Sequence, residues 1–247
     1  MRQGFVKTEN YARFTAGVRS VEARGAAEAG MMLVYSHVGF GKSRIVYRWA
    51  EEAGAVYLRA NVDWTPKYFL VELAKSLNVD SRGTAQQLFE RALRVLIERQ
   101  CPIIIDEADF TLRGNAEVLE KIRDFSDRTE TTVVLIGMEE MLRKISRYRQ
   151  IARRIAQVVE FGPCTQSDVA LACKQLCECE LSAALIAEVH RMSSGKMSET
   201  LNIIARIEQL ARANSLVGVL DVTHFAGVEL AHDWQSRTAK TVRKVGA

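Results

Sequence analysis

Apolar positions along the chain follow two alternating patterns. Short runs at Met31 to Tyr35, Ala55 to Ala60, Pro102 to Ile105, Thr131 to Ile136 and Gln157 to Phe161 read as five strands. Between them the apolar residues recur at helical spacing, predicting helices at 42–54, 66–77, 84–100, 116–128 and 138–148. A further helix precedes the first strand, with Tyr11, Phe14, Val18 and Val21 on one face. Pro66 suits a first helical position, and Thr84 and Asn115 are candidate N-caps. Strands alternating with helices predict a parallel sheet covered on both faces. From Gly162-Pro163 the pattern changes to helices alone, at about 166–179, 182–193, 197–214 and 222–234. The expected organisation is an N-terminal linker and helix (1–30), an α/β domain with a five-stranded parallel sheet (31–162), a small all-helical domain (163–234) and a basic tail (235–247).

The first strand runs into Ser36-His37-Val38-Gly39-Phe40-Gly41, and Lys42-Ser43 opens the next helix. Strand, glycine-containing turn, Lys-Ser and helix is the order of a phosphate-binding P-loop. Backbone N–H groups of Gly39, Phe40 and Gly41 can turn inward toward phosphate oxygens, and the helix N-terminus adds its partial positive charge. Lys42 would reach the β- and γ-phosphates of ATP, and the Ser43 hydroxyl would hold Mg2+. The usual pattern has a glycine where Ser36 stands, and only glycine is free at positive φ.

A second stretch supports the first. The strand Pro102-Ile103-Ile104-Ile105 ends in Asp106 and Glu107. An Asp at a strand end near a P-loop can orient Mg2+ through water, and a following Glu can polarise an attacking water. The pair therefore points to ATP hydrolysis.

Composition bounds the class without naming it. The 247 residues suffice for one large or two small cores, and the apolar fraction of 48% and charged fraction of 26% are those of an ordinary globule. No apolar run approaches the roughly 18 residues of a membrane span, and the first ten residues lack the apolar core of a secretory signal. A cytoplasmic protein without membrane partners is expected. Of the five cysteines, Cys173, Cys177 and Cys179 fall in one helical pattern, but without the partner ligands that zinc requires; they read as small apolar residues. The net charge of +4 resides in Arg237, Lys240, Arg243 and Lys244, so residues 1–234 carry no net charge. A DNA-binding surface would then be a local stripe of cations.

With these motifs in place the chain resembles the AAA+ ATPases. Within them it resembles the target-DNA-binding ATPase, protein B, of Mu-like transposable phages. Phe5-Val6-Lys7-Thr8-Glu9-Asn10 with Phe14, the P-loop, Tyr57 to Pro66, Ile105 to Asp109 and Val134 to Met138 carry the resemblance, over about residues 1–162. It implies an ATP-driven helical filament on duplex DNA that recruits a transposase, stimulates strand transfer and is dismantled by hydrolysis. It maps the nucleotide roles onto Lys42, Ser43, Asp106 and Glu107. Gly137-Met138 stands where the family has a polar sensor, and Lys196 where a lid arginine is usual. Arg154 or Arg153 would complete a neighbour's site in trans, with Arg154 preferred by a narrow margin. Lys67, Arg82 and Arg113, on loops of the α/β domain, are the candidate phosphate contacts for DNA.

Other classes share these motifs. A helicase loader, or a signalling or assembly ATPase without a transposase, fits the same nucleotide site. A small-molecule kinase fits less well, because Glu107 directly after Asp106 favours water as the acceptor.

Overall fold

The structure is a computed structural model that describes residues 1–233 and 238–242. It divides into two compact units, each treated by itself. A sheet unit comprises Arg13–Val38 and Lys42–Phe161; a helical unit comprises Met1–Ala12, Gly39–Gly41 and the chain from Gly162 on.

In the sheet unit, β1 (Met31–Tyr35), β2 (Val56–Arg59), β3 (Ile103–Asp106), β4 (Val133–Gly137) and β5 (Ile155–Glu160) form one sheet in the order β2-β3-β4-β1-β5. All pairings are parallel, with Arg59 opposite Asp106, Ile105 opposite Leu135 and Met31 opposite Val133. Burial follows position in the sheet. The inner strands β3 and β4 are buried throughout and β1 up to Tyr35, because both faces are covered. The edge strand β2 alternates, leaving Tyr57 and Arg59 accessible while Val56 and Leu58 pack inward. On one face, α3 (Pro66–Ser76), α4 (Ala85–Arg99) and α5 (Glu117–Thr129) bury Phe69, Leu88 and Phe125 against Leu33, Ile105 and Leu135. Near β5, Phe14 of α1 (Glu9–Glu22) meets Trp49 of α2 (Lys42–Ala53) and Phe161 edge-on, at centroid distances of 5.5 and 6.4 Å. The short helices α6 (Glu139–Ile145) and α7 (Arg149–Ala152) link β4 to β5.

Local signals account for most helix starts. Thr65 caps α3 with Pro66 in its first turn, and Thr84 forms a capping box with Gln87 at α4. The expected Asn115 cap is not formed. Asn115 and Ala116 both adopt left-handed backbone (φ 61°), and α5 starts without a side-chain cap. Its first turn carries Glu117 and Glu120, which favour the positive end of the helix dipole.

In the helical unit, α8 (Gln166–Leu176), α9 (Ala183–Ser193) and α10 (Met197–Ala213) surround Val169, Leu185, Val189, Ile203 and Ile207. Thr165 and Ser182 cap α8 and α9. The N-terminal residues pack here: Val6 lies against Ala172 and Leu176, and the Glu9 N–H donates to Asp168 Oδ1 at 2.9 Å. Asn10 exchanges two hydrogen bonds with the Gly162 backbone at 2.8 and 3.1 Å. Cys177 does not share the helix with Cys173, because α8 ends at Leu176 and Cys177 is extended.

The helix expected over 222–234 is not found. A short 3-10 turn, Val222–Phe225, gives way at Gly227 (φ 77°) to β6 (Glu229–Asp233), which pairs antiparallel with β7 (Thr238–Thr241). Gly227 interrupts the helix, and Leu230 and Val242 are buried in the core of the unit. The unit is therefore helical with an added hairpin. Part of the expected basic tail belongs to it: Lys240 Nζ donates to the Met192 carbonyl at 3.0 Å. Arg237, Arg243 and Lys244 lie outside the described residues. Among the described residues no helix is long and apolar enough to cross a membrane.

Candidate nucleotide-binding site

The loop after β1 is shaped by Gly39 (φ 96°) and Gly41 (φ 84°), conformations that L side chains rarely adopt. Ser36, in the position where a glycine is usual, does not enter the positive-φ region, so its side chain carries no such strain. It is buried, and its hydroxyl serves the loop. Lys42 Nζ donates to Ser36 Oγ at 2.7 Å, to the Ser36 carbonyl at 2.8 Å and to the His37 carbonyl at 3.2 Å. The ammonium is thus held inside its own loop. Burial lowers its pKa below the usual lysine value, while the charges of Asp106 and Asp109 act in the opposite direction.

Asp106 ends β3 and is 4% exposed. Its Oδ1 accepts the Glu107 N–H at 2.8 Å and its Oδ2 accepts the Tyr57 hydroxyl at 2.6 Å. The same tyrosine hydroxyl is hydrogen-bonded by Ser43. Burial and then the Asp106 contact raise the Tyr57 pKa far above the ordinary phenol value, so the hydroxyl stays protonated. Ser43 itself is exposed at the start of α2. Oxygen donors from Ser43 and Asp106, joined through one hydroxyl, are the hard ligands a small divalent cation such as Mg2+ takes.

Glu107, directly after β3, adopts left-handed backbone (φ 51°). There Arg59, at the end of β2, forms an ion pair with it; Arg59 Nε lies 3.1 Å from Glu107 Oε1. Asp109, in the 3-10 turn Ala108–Leu112, reaches the end of β4, where its Oδ2 accepts the Met138 N–H at 2.8 Å. A Cβ on Gly137 would collide with Met141 Sδ and stand 2.8 Å from Asp109 Oδ2. The absence of a polar side chain at Gly137 thus has a steric cause, with Asp109 supplying the polar atom there.

The remaining sequence candidates are dispersed. Arg154 makes a two-pronged ion pair with Asp127, Nε to Oδ1 at 2.9 Å and a terminal nitrogen to Oδ2 at 3.1 Å. Arg153 is exposed. Arg82 pairs with Asp80 at 3.4 Å, and Arg113 lies 5.0 Å over the Phe110 ring. Lys67 is exposed on the first turn of α3. In the helical unit Phe40 is buried and exposed Lys196 stands at the start of α10. A Cβ on Gly39 would lie 3.4 Å from Lys196 Cβ and 3.2 Å from Ser198 Oγ.

Tyr57, Arg59 and Asp109 do not emerge from motif reading. The alternation of β2 is the signal that could have found the first two, since it puts Tyr57 and Arg59 on one face of a strand beside the acidic strand end.

Residues 25–146 match the family model of an AAA domain (AAA_22), a range that spans the loop, the acidic strand end and β4. The fold recurs in solved structures. The fold is that of an AAA+ P-loop domain. The ORC1 protein of Aeropyrum pernix, solved in complex with DNA, is 16% identical with a TM-score of 0.59, covering 86% of this chain and 62% of its own. The ORC2 protein of the same organism, solved as ADPNP–ADP complexes, is 14% identical with a TM-score of 0.61, covering 84% and 63%. Cdc6p from Pyrobaculum aerophilum is 16% identical with a TM-score of 0.54, covering 75% and 56%. The chain thus spans about three-fifths of the length of these structures. No curated protein sequence matches it.

Proposed function

We propose that this AAA+ chain is an ATPase that binds duplex DNA without regard to sequence when loaded with ATP, and serves target capture and transposase activation in DNA transposition. The observation that carries the nucleotide part is the half-buried Lys42 ammonium on three loop acceptors, with the charges of Asp106 and Asp109 acting on it. Phosphate oxygens would replace the loop acceptors as partners of Lys42, with the N–H groups of Gly39, Phe40 and Gly41 around them. Ser43 and Asp106 would hold Mg2+, which neutralises charge on the β- and γ-phosphates. Glu107 would take the proton of the attacking water once Arg59 releases it, giving ADP and phosphate. The usual water-activating carboxylate is therefore restrained in the isolated chain, which fits an enzyme that is slow without DNA and partner.

Arg153 is the better candidate to act in trans on a neighbouring copy, because Arg154 is engaged by Asp127. Such an arginine offsets charge developing at the γ-phosphate and makes hydrolysis depend on self-assembly, here as a filament on DNA. Lys196 is the candidate lid contact to the nucleotide. For DNA, Lys67 is favoured over Arg82 and Arg113, whose guanidinium groups have partners within the chain. The DNA reading draws support from the likeness to a structure solved in complex with DNA. The transposase and filament rest on the sequence resemblance, and none of the three structures named above is a transposition protein.

That same likeness to ORC and Cdc6 proteins favours a second reading, an AAA+ loader or assembly ATPase that works on DNA with a different partner. Duplex binding by the purified chain, with ATP, ADP or no nucleotide at two salt concentrations, tests both. ATP-dependent, sequence-indifferent and salt-sensitive binding supports DNA action, and stimulation of strand transfer by an added transposase selects the first reading. A chain that binds ATP but no DNA at low salt would overturn both.

A further inference from the structure

The Tyr57 hydroxyl touches both side chains that the nucleotide reading assigns to the metal. It donates to Asp106 Oδ2 at 2.6 Å and receives a hydrogen bond from Ser43. The direction of these bonds matters. With its one proton on Asp106, the Tyr57 hydroxyl can only accept from Ser43, which leaves the lone pairs of the Ser43 oxygen for a cation. Asp106 accepts from Tyr57 on one oxygen and from the Glu107 N–H on the other, so both oxygens are oriented and each keeps acceptor capacity. The phenol ring is itself held: Tyr47 of α2 packs edge-on at 5.2 Å and 82°.

We infer that Tyr57 is a positioning residue for the divalent cation, presetting Ser43 and Asp106 as an oxygen pair before the Mg2+–nucleotide complex arrives. The inference rests on the nucleotide reading above and adds to it a residue outside the P-loop and the acidic strand end. A hydrogen-bonding partner behind a metal ligand commonly changes metal affinity by about tenfold or more when removed. The phosphate contacts of Lys42 do not involve Tyr57. The two parts of the site should therefore separate experimentally.

The test measures binding of a fluorescent ATP analogue to wild type and Tyr57→Phe, first in EDTA and then across a Mg2+ titration. Thermal melting of the apo proteins is followed in parallel. The expected result is equal affinity in EDTA and a Mg2+ midpoint shifted upward about tenfold in Tyr57→Phe. Tyr47→Phe, which keeps the edge-on ring, should titrate like wild type. An unchanged Mg2+ midpoint would overturn the positioning role while leaving the nucleotide reading intact. Equal loss with and without Mg2+, or loss that tracks a lowered melting temperature, would also overturn it, because a merely structural tyrosine behaves that way. Wild type that fails to bind the analogue at all would instead sink the nucleotide reading on which the inference stands.

Discussion

Arg59 and Glu107 stand 48 residues apart in the chain, yet Arg59 Nε lies 3.1 Å from Glu107 Oε1. The parallel register of β2 on β3 produces this, since Arg59 lies opposite Asp106, the neighbour of Glu107. The contact raises the Arg59 pKa through its hydrogen bond and ion pair with Glu107. Both side chains are largely solvent-exposed, so the pair contributes little to stability. Its consequence is geometric: while Arg59 holds the carboxylate, Glu107 cannot turn to an attacking water. Arg59→Ala should raise ATP hydrolysis by the isolated chain several-fold without moving its melting temperature. Glu107→Gln should lower hydrolysis roughly 100-fold while ATP binding persists. Phosphate release and analogue binding, measured on both variants, check this. An Arg59→Ala rate at or below wild type would remove the restraint from the account.

The two consecutive arginines before β5 should separate by function. Arg154 is tied to Asp127, so Arg154→Ala should cost about 1 kcal/mol of stability, seen as a lower denaturation midpoint. Arg153→Ala should melt like wild type and lose the rise of hydrolysis rate with protein concentration. Mixing Arg153→Ala with Glu107→Gln should restore part of that rate, because each kind of subunit supplies what the other lacks.

Ser36→Ala removes one of the three acceptors of Lys42 Nζ and leaves the two carbonyls. ATP affinity should stay within about fivefold of wild type, because phosphate oxygens take the place of that acceptor in the complex. Lys42→Ala should abolish measurable binding. Calorimetric titration of both variants provides the comparison.

Three buried thiols give the helical unit an alkaline limit. Burial pushes Cys164 and Cys173 up to about 11 and Cys177 up to about 12, against an ordinary value near 9. The folded state keeps these protons when the unfolded chain has released them. Their contribution to stability is therefore complete below pH about 9 and is lost as pH rises toward 11 to 12. Denaturant midpoints measured from pH 8 to 10.5 should fall, and Cys173→Ala should fall less steeply over that range. A flat profile in wild type would contradict the burial of these thiols.

Gly137 is fixed by its neighbours rather than by its backbone. A methyl group there would strike Met141 and crowd Asp109. Gly137→Ala should destabilise the chain by about 1–3 kcal/mol, the usual range for overpacking a closed core. Asp109→Ala with Gly137→Ala should be no better, because the Met138 N–H then loses its acceptor.

The sequence by itself determined the parallel sheet, the P-loop, the acidic strand end and the Thr84 cap of α4. Those features rest on neighbours a few residues apart: apolar runs such as Ile103 to Ile105, Thr84 with Gln87, and glycines where the loop must turn. It misread residues 222–234 because a short apolar stretch with one glycine suits a helix or a strand equally, and the pairing of Glu229–Asp233 with Thr238–Thr241 decided between them. Only the tertiary structure decided how the candidate site is wired. The partners Tyr57 for Asp106, Arg59 for Glu107, Asp109 for the Met138 N–H and Asp127 for Arg154 lie 27 to 49 residues away in sequence. The motifs name which carboxylates and cations are present. Which of them are held and which are free depends on strand order, register and the closeness of side chains from different elements.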